Sequence, residues 1–105
     1  MKKYVLSIGL LDKETKRQEL PQETALAIIA DNSREILGGA TIITGCIGVY
    51  THADGSQVVE PSIQVVAYDA ERSDVIRLAK TLARALNQEC IAMETSEIES
   101  AFIGA

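Results

Sequence analysis

The sequence has no tryptophan, one phenylalanine (Phe102), three tyrosines and a single histidine, His52. A core made from it must therefore be aliphatic, with Ile, Val, Leu and Ala supplying nearly all the buried area. Cysteine is scarce too. Cys46 and Cys90 form no CxxC pair and no disulfide framework, which fits a reduced, cytoplasmic protein. Two cysteines and one histidine at unrelated spacings match no zinc pattern, so no metal is expected. Positive charge is in deficit: 10 Lys and Arg against 15 Asp and Glu give a formal charge of −5. A sequence-independent grip on nucleic acid needs a basic surface, so nucleic acid is excluded as a partner. The one dense basic run, Lys13 to Arg17, contains Glu14 and reads as a solvated loop. Long hydrophobic runs are missing as well. Tyr4 to Leu11 follows Lys2-Lys3 but is too short to span a membrane. Asp12-Lys13-Glu14 follows it where a leader would have a small-residue cleavage site. No complete catalytic, metal or nucleotide motif occurs, and no cofactor is expected.

What remains is a strong alternation of strand and helix patterns in 105 residues, enough for one core and read as a single domain, 1–105. Tyr4 to Leu11 is a short apolar run with β-branched residues and charged flanks, the mark of a strand buried on both faces. Gly9 inside it marks a bulge or a close approach. Pro21 suits the start of a helix, with Leu26, Ile29, Ser33 and Ile36 on one stripe. Gly38-Gly39 ends it. Ala40 to Thr51 and Gln57 to Asp69 are β-rich and flank Asp54-Gly55, a strong hairpin signal. A two-residue turn there would put Cys46 opposite Ile63 on a helix-covered face. Ile47 would lie opposite Ser62, and Val49 opposite Glu60, on the other face. A bulge would swap these faces. Ser73 is placed as an N-cap, and Val75, Leu78, Leu82 and Leu86 form a second helical stripe. Asn87 stops that helix. Glu89 to Thr95 reads as a fourth strand. In Ser96 to Ile103 the alternation of Ile98, Ser100 and Phe102 suits either a short edge strand or a tail docking on a neighbouring subunit.

This order predicts an α+β fold, a ferredoxin-like βαββαβ sandwich whose antiparallel sheet carries both helices on one face. The first and third strands should be central. Pro61 cannot donate a ladder bond, so the sheet proper should begin near Ser62, with Tyr50 to Glu60 projecting as an arm. The uncovered sheet face carries Ile and Val. That predicts a homo-oligomer, most simply a two-fold dimer, that buries them.

Three short motifs occur in order: Gly9-Leu10, then Asp54-Gly55 followed by Glu60-Pro61-Ser62, then Asn87-Gln88-Glu89. Together they resemble a family of short uncharacterised ferredoxin-like proteins from bacteria and mobile elements. The rhythm from Ala40 to Glu94 also resembles the PII-like signalling proteins. That resemblance implies a ferredoxin-like trimer with ligand clefts between subunits. Here a short Asp-Gly turn replaces the long loop of that group, and the basic and glycine-rich phosphate contacts are missing. The resemblance carries fold and oligomery and transfers no catalytic residue.

Tyr50, His52, Glu60, Ser62, Gln64 and Tyr68 are the candidate ligand- or partner-binding residues. Glu60, Ser62 and Gln64 alternate on one strand face, where they could line a pocket or a subunit interface; as an edge charge, Glu60 would instead discourage strand pairing. His52 stands near the hairpin tip with nothing at fixed spacing to orient its ring. Cys46 and Cys90 read as small core residues. The reading favours a non-enzymatic oligomeric binding or regulatory module that acts through the hairpin arm and adjacent sheet face, on a small molecule or a protein. The alternatives are a small cofactor-free enzyme of the dimeric ferredoxin-like type, such as a monooxygenase or isomerase, and an acidic protein-binding inhibitor.

Overall fold

The computed structural model describes residues 1–51 and 54–105. Its elements are β1 (Lys2–Gly9), α1 (Gln22–Leu37), β2 (Thr41–Thr51), β3 (Gln57–Tyr68), α2 (Arg72–Ala85) and β4 (Ala92–Glu97). The sheet order is β2-β3-β1-β4, antiparallel throughout, so the first and third strands are central as their apolar content requires. The ferredoxin-like α+β fold is thus the one expected.

Period-2 alternation sorts the sheet into two faces. Tyr4, Leu6 and Ile8 of β1 and Ile63, Val65 and Ala67 of β3 point to the helices. There they form one core with Ala25 and Ile29 of α1 and Val75, Leu78 and Leu82 of α2. Pro21 caps α1 without a side-chain hydrogen bond, and Gly38 ends it in the left-handed conformation at φ 80°. Both follow the pattern of proline at the start and glycine past the end of a helix. At α2 the start differs from expectation. Glu71 is the N-cap and Ser73 lies inside the first turn, where its hydroxyl caps nothing.

The hairpin register also differs. Thr51 lies opposite Gln57, one residue off the register that a two-residue Asp54-Gly55 turn would set. Cys46 lies opposite Ser62, not Ile63, and Gly48 opposite Glu60. The one-residue shift swaps the faces: Cys46 joins the uncovered face, while Ile47 and Val49 turn to the helix side. A second shift falls between Ile43 and Cys46, where Gly45 at φ 75° supports a β-bulge. Neither cysteine reaches the core; Cys46 is half-buried and Cys90 exposed.

Pairing of β1 with β3 ends at Gly9 opposite Ser62, while β2 and β3 continue together to Thr51 and Gln57. The hairpin therefore runs past the sheet as an arm. Pro61 sits at its base, where its carbonyl accepts the Leu10 N–H at 3.0 Å. In an antiparallel ladder two opposed residues exchange both bonds, so with Leu10 opposite Pro61 only the Leu10 bond forms, and the pairing of β1 with β3 ends where proline cannot return it. The last strand begins later than expected, at Ala92, and takes in Ser96 and Glu97. It is the C-terminal edge strand. Beyond it, Ile98 N–H donates to the Met1 carbonyl at 2.9 Å, and residues 99–105 are exposed.

Candidate functional site

The uncovered sheet face brings together most of the predicted residues. From β3 it receives Val58, Glu60, Ser62, Gln64, Val66 and Tyr68, and from β2 Tyr50, Gly48 and Cys46. From β1 come Gly9, Ser7, Val5 and Lys3. Exposed apolar area is not concentrated in the middle of this face, since Val5, Val66 and Ser62 are already buried within one chain. It lies chiefly on the arm and the C-terminal tail instead.

Glu60 lies on β3 just beyond the last residue paired with β1. Its Oε2 accepts the Leu11 N–H at 3.2 Å, at the point where β1 gives way to the following loop. The carboxylate lies over Gly9, where a Cβ would stand 2.3 Å from Oε1. The close approach marked by Gly9 is thus made by a side chain, not by another backbone. Leu11 is held from its other side as well, its carbonyl accepting from Gln88 Nε2 at 2.6 Å. One peptide segment therefore connects Glu60 to the end of α2.

A second glycine seat lies one strand away. Gly48, opposite Glu60, leaves room for the Tyr50 ring; a Cβ there would lie 2.6 Å from the phenol oxygen. Tyr50 itself is exposed, so its ring is available on the arm's surface. Ser62 Oγ donates to the Glu60 carbonyl at 3.3 Å, and Gln64 Nε2 donates to Ser7 Oγ at 3.1 Å. Glu60, Ser62 and Tyr50 thus gather at the arm's base, and Gln64 lies on the same face four residues from Glu60 along β3, about 13 Å at 3.3 Å per residue. Tyr68 shares their face but sits opposite Lys3, eight residues from Glu60 along β3. That is about 26 Å at 3.3 Å per residue, so Tyr68 is not part of the cluster. His52 lies outside the described residues.

Sequence reasoning missed Ser7 and Gln88. Ser7 breaks an otherwise apolar strand two residues before Gly9, a spacing that places both on one face. The Asn87-Gln88 pair turns out to work as a clasp. Asn87, at φ 48°, donates from Nδ2 to Asp12 Oδ2 at 2.8 Å, and its carbonyl accepts the Lys13 N–H at 2.9 Å. The Asn87 amide, joined by the Thr15 and Glu14 N–H groups, holds the Asp12 carboxyl below its ordinary range. A cleft of about 170 Å³ opens beside this clasp, lined by Leu10, Leu20, Ala25 and Leu86 with Asp12 and Glu19 at its rim. It lies on the helix side and touches none of the five predicted residues that are described. Among the described residues no group of three or more His, Cys, Asp or Glu is placed to hold a metal ion. No helix of the described residues is long and apolar enough to cross a membrane.

No family model and no curated protein sequence matches the chain. Solved structures do. A phage SAM lyase in complex with S-methyl-5'-thioadenosine is similar at 27% identity over 91% of this chain and 80% of its own, with TM-score 0.65. The divalent cation tolerance protein CutA1 from Thermus thermophilus is similar at 17% identity over 97% of this chain and 88% of its own, TM-score 0.62. The PII-like protein CutA from Nostoc follows at 12% identity over 94% and 82%, TM-score 0.54. The last two likenesses are of fold, and they agree with the PII-like rhythm of the sequence.

Proposed function

We propose that this chain is a subunit of a homo-oligomer, most simply a dimer, that binds S-adenosylmethionine at the base of its hairpin arm and cleaves it as a lyase. The observation that carries this reading is the 27% identity, across 91% of the chain, with a phage SAM lyase held in complex with S-methyl-5'-thioadenosine. The chemistry of the arm's base suits that ligand. S-adenosylmethionine carries a sulfonium cation, and Glu60 offers a carboxylate already fixed by the Leu11 amide and the Gly9 seat. An anion held in place does not lose side-chain entropy again when the cation arrives. The exposed Tyr50 ring supplies a π face for a cation or an adenine. Ser62 and Gln64 add short polar groups on the same face. A lyase adds no water: the substrate's own carboxylate displaces the thioether at Cγ, the C–S bond breaking with its electron pair going to sulfur, so S-methyl-5'-thioadenosine and a five-membered lactone are the two products. Glu60 binds and orients the sulfonium for that displacement and activates no hydrolytic nucleophile.

The test is incubation of the purified chain with S-adenosylmethionine, followed by chromatography for S-methyl-5'-thioadenosine. Product should form, and Glu60→Gln should reduce its rate at least tenfold with the fold retained. Absence of both binding heat and product would overturn the reading. A second reading keeps the same surface as a regulatory binding module without turnover. It is favoured by the composition of the site, where Glu60 is the one acid among the clustered candidates. Binding heat without product would establish it in place of the first.

A further inference from the structure

The most exposed large apolar side chains fall into two groups at opposite ends of the sheet. The first is the helix-side face of the arm, beyond the reach of either helix: Ile47 is 69% exposed, Val49 68% and Val59 64%. The second is the C-terminal tail, with Phe102 83% and Ile103 92% exposed. Burial of apolar area is favourable, so a chain that leaves all five in water has an unmet driving force for association.

The arm also presents an edge. β2 is the outermost strand, and Thr41 to Thr51 contains no charged residue and no proline. Natural sheets guard their edges with lysine, proline, bulges or cover. Here the bulge at Thr44-Gly45 interrupts the inner half, but Cys46 to Thr51 continues as regular, uncharged strand with an open side. β4, the opposite edge, carries Glu94 and Glu97 and is guarded.

The tail cannot cover its own arm. β4 runs antiparallel to β1 and ends with Glu97 opposite Lys2, at the far end of the sheet from Gly9 and Pro61. Phe102 lies five residues further on, a reach of about 17 Å when fully extended. From Lys2 to the level of Pro61 is eight residues along β1, about 26 Å, with three strand spacings of about 4.8 Å to cross as well. The segment 98–103 nevertheless alternates like a strand, with Ile98, Ser100 and Phe102 on one side.

We infer that segment 99–103 of one copy adds as a strand to the free edge of β2 in the arm of a second copy. Phe102 then packs on Ile47 and Val49. Main-chain pairing supplies the affinity and the alternating side chains the register. The contact joins two different surfaces, so each copy both gives a tail and receives one, and the assembly closes when the rotation between copies allows. It supplies the contact for the homo-oligomer proposed above and rests on that reading in this respect alone.

Sedimentation of the full chain, of a chain ending at Ile98, and of Phe102→Asp and Val49→Lys tests it. The full chain should sediment as a multiple of 11.3 kDa, and all three variants as monomers with unchanged helical circular dichroism. A monomeric full chain overturns both this contact and the oligomer itself. A full-chain oligomer that survives loss of residues 99–105 overturns only the contact. A second measurement covers variants that fail to fold. With Cys46 and Cys90 replaced by serine, Val49→Cys combined with Phe102→Cys should give covalent multimers on oxidation. Cross-linking by Val49→Cys alone would instead mean that β2 pairs with β2, and would overturn the tail's role.

Discussion

The carboxylate of Glu60 occupies the space that a side chain at position 9 would fill, 2.3 Å from an ideal Cβ on Gly9. The two residues are 51 positions apart in sequence and belong to adjacent central strands. Gly9 therefore has a side-chain reason to be glycine, unlike Gly45, where the backbone angle is the reason. Because the carboxylate is seated there, its Oε2 meets the Leu11 amide and fixes where β1 ends.

Gly9→Ala should push the Glu60 carboxylate off its seat, since the flexible end of that side chain can move and the backbone cannot. The loss is the charge-assisted bond to Leu11, about 1.5–3 kcal/mol by urea unfolding. In a Glu60→Ala background the same substitution should cost much less. Equal costs in the two backgrounds would mean that the pair is not coupled.

Gly45→Ala isolates backbone strain, because nothing lies within 4 Å of a Cβ at that position while φ is 75°. The expected loss is about 1–2 kcal/mol, and Gly45→Asn should lose less, since asparagine visits the left-handed region more readily. Denaturant midpoints of the two variants decide it. Equal stability of both with the parent chain would show that the bulge is not required.

The fold was legible because its signals are local and repeated. The apolar run of β1, the stripe Val75-Leu78-Leu82 and the Gly38 helix end each agree with the others. The face of Glu60, Ser62 and Gln64 was legible for the same reason, since period-2 alternation in β3 needs no partner. The register was not. It depends on how many residues the turn absorbs and on a bulge at Gly45, and a shift of one residue moves Cys46 and Val49 to opposite faces. Capping at α2 also escaped, because Ser73 carries the usual signal while the backbone starts the helix two residues earlier, with Glu71 as the N-cap. The Glu60–Leu11–Gln88 connection could not be seen at all. It joins three distant segments through a backbone amide and carbonyl that every residue possesses.

Ser33 interrupts the buried stripe of α1. Its hydroxyl is fully enclosed without a hydrogen-bond partner, and the residue is 2% exposed. A buried unsatisfied polar group costs about 1–3 kcal/mol. Ser33→Ala removes that group and improves helix propensity, so it should raise the thermal midpoint, with a gain of about 1 kcal/mol. A lower midpoint would mean that the hydroxyl has a role that its surroundings do not reveal.

Asp12 gives the pH test of the clasp. Its folded-state carboxyl is held below the ordinary value of 3.8, first by the Asn87 side-chain amide and then by the Thr15 and Glu14 N–H groups. A depressed acid stabilises the fold above its unfolded value and stops doing so as pH falls through the folded one. The contribution is therefore intact at neutral pH, begins to fade below about 3.8, and is gone once Asp12 is protonated in both states. Carboxyl-detected NMR should show Asp12 titrating below the ordinary range in the parent chain. In Asn87→Ala it should move up toward that range, because the largest cause of the shift has been removed. Asp12→Asn should flatten the acid limb of the stability profile without changing its shape near pH 7. If Asn87→Ala leaves the Asp12 titration where it was, the clasp is held by the loop's own amides, and Asn87 serves only as the left-handed stop of α2.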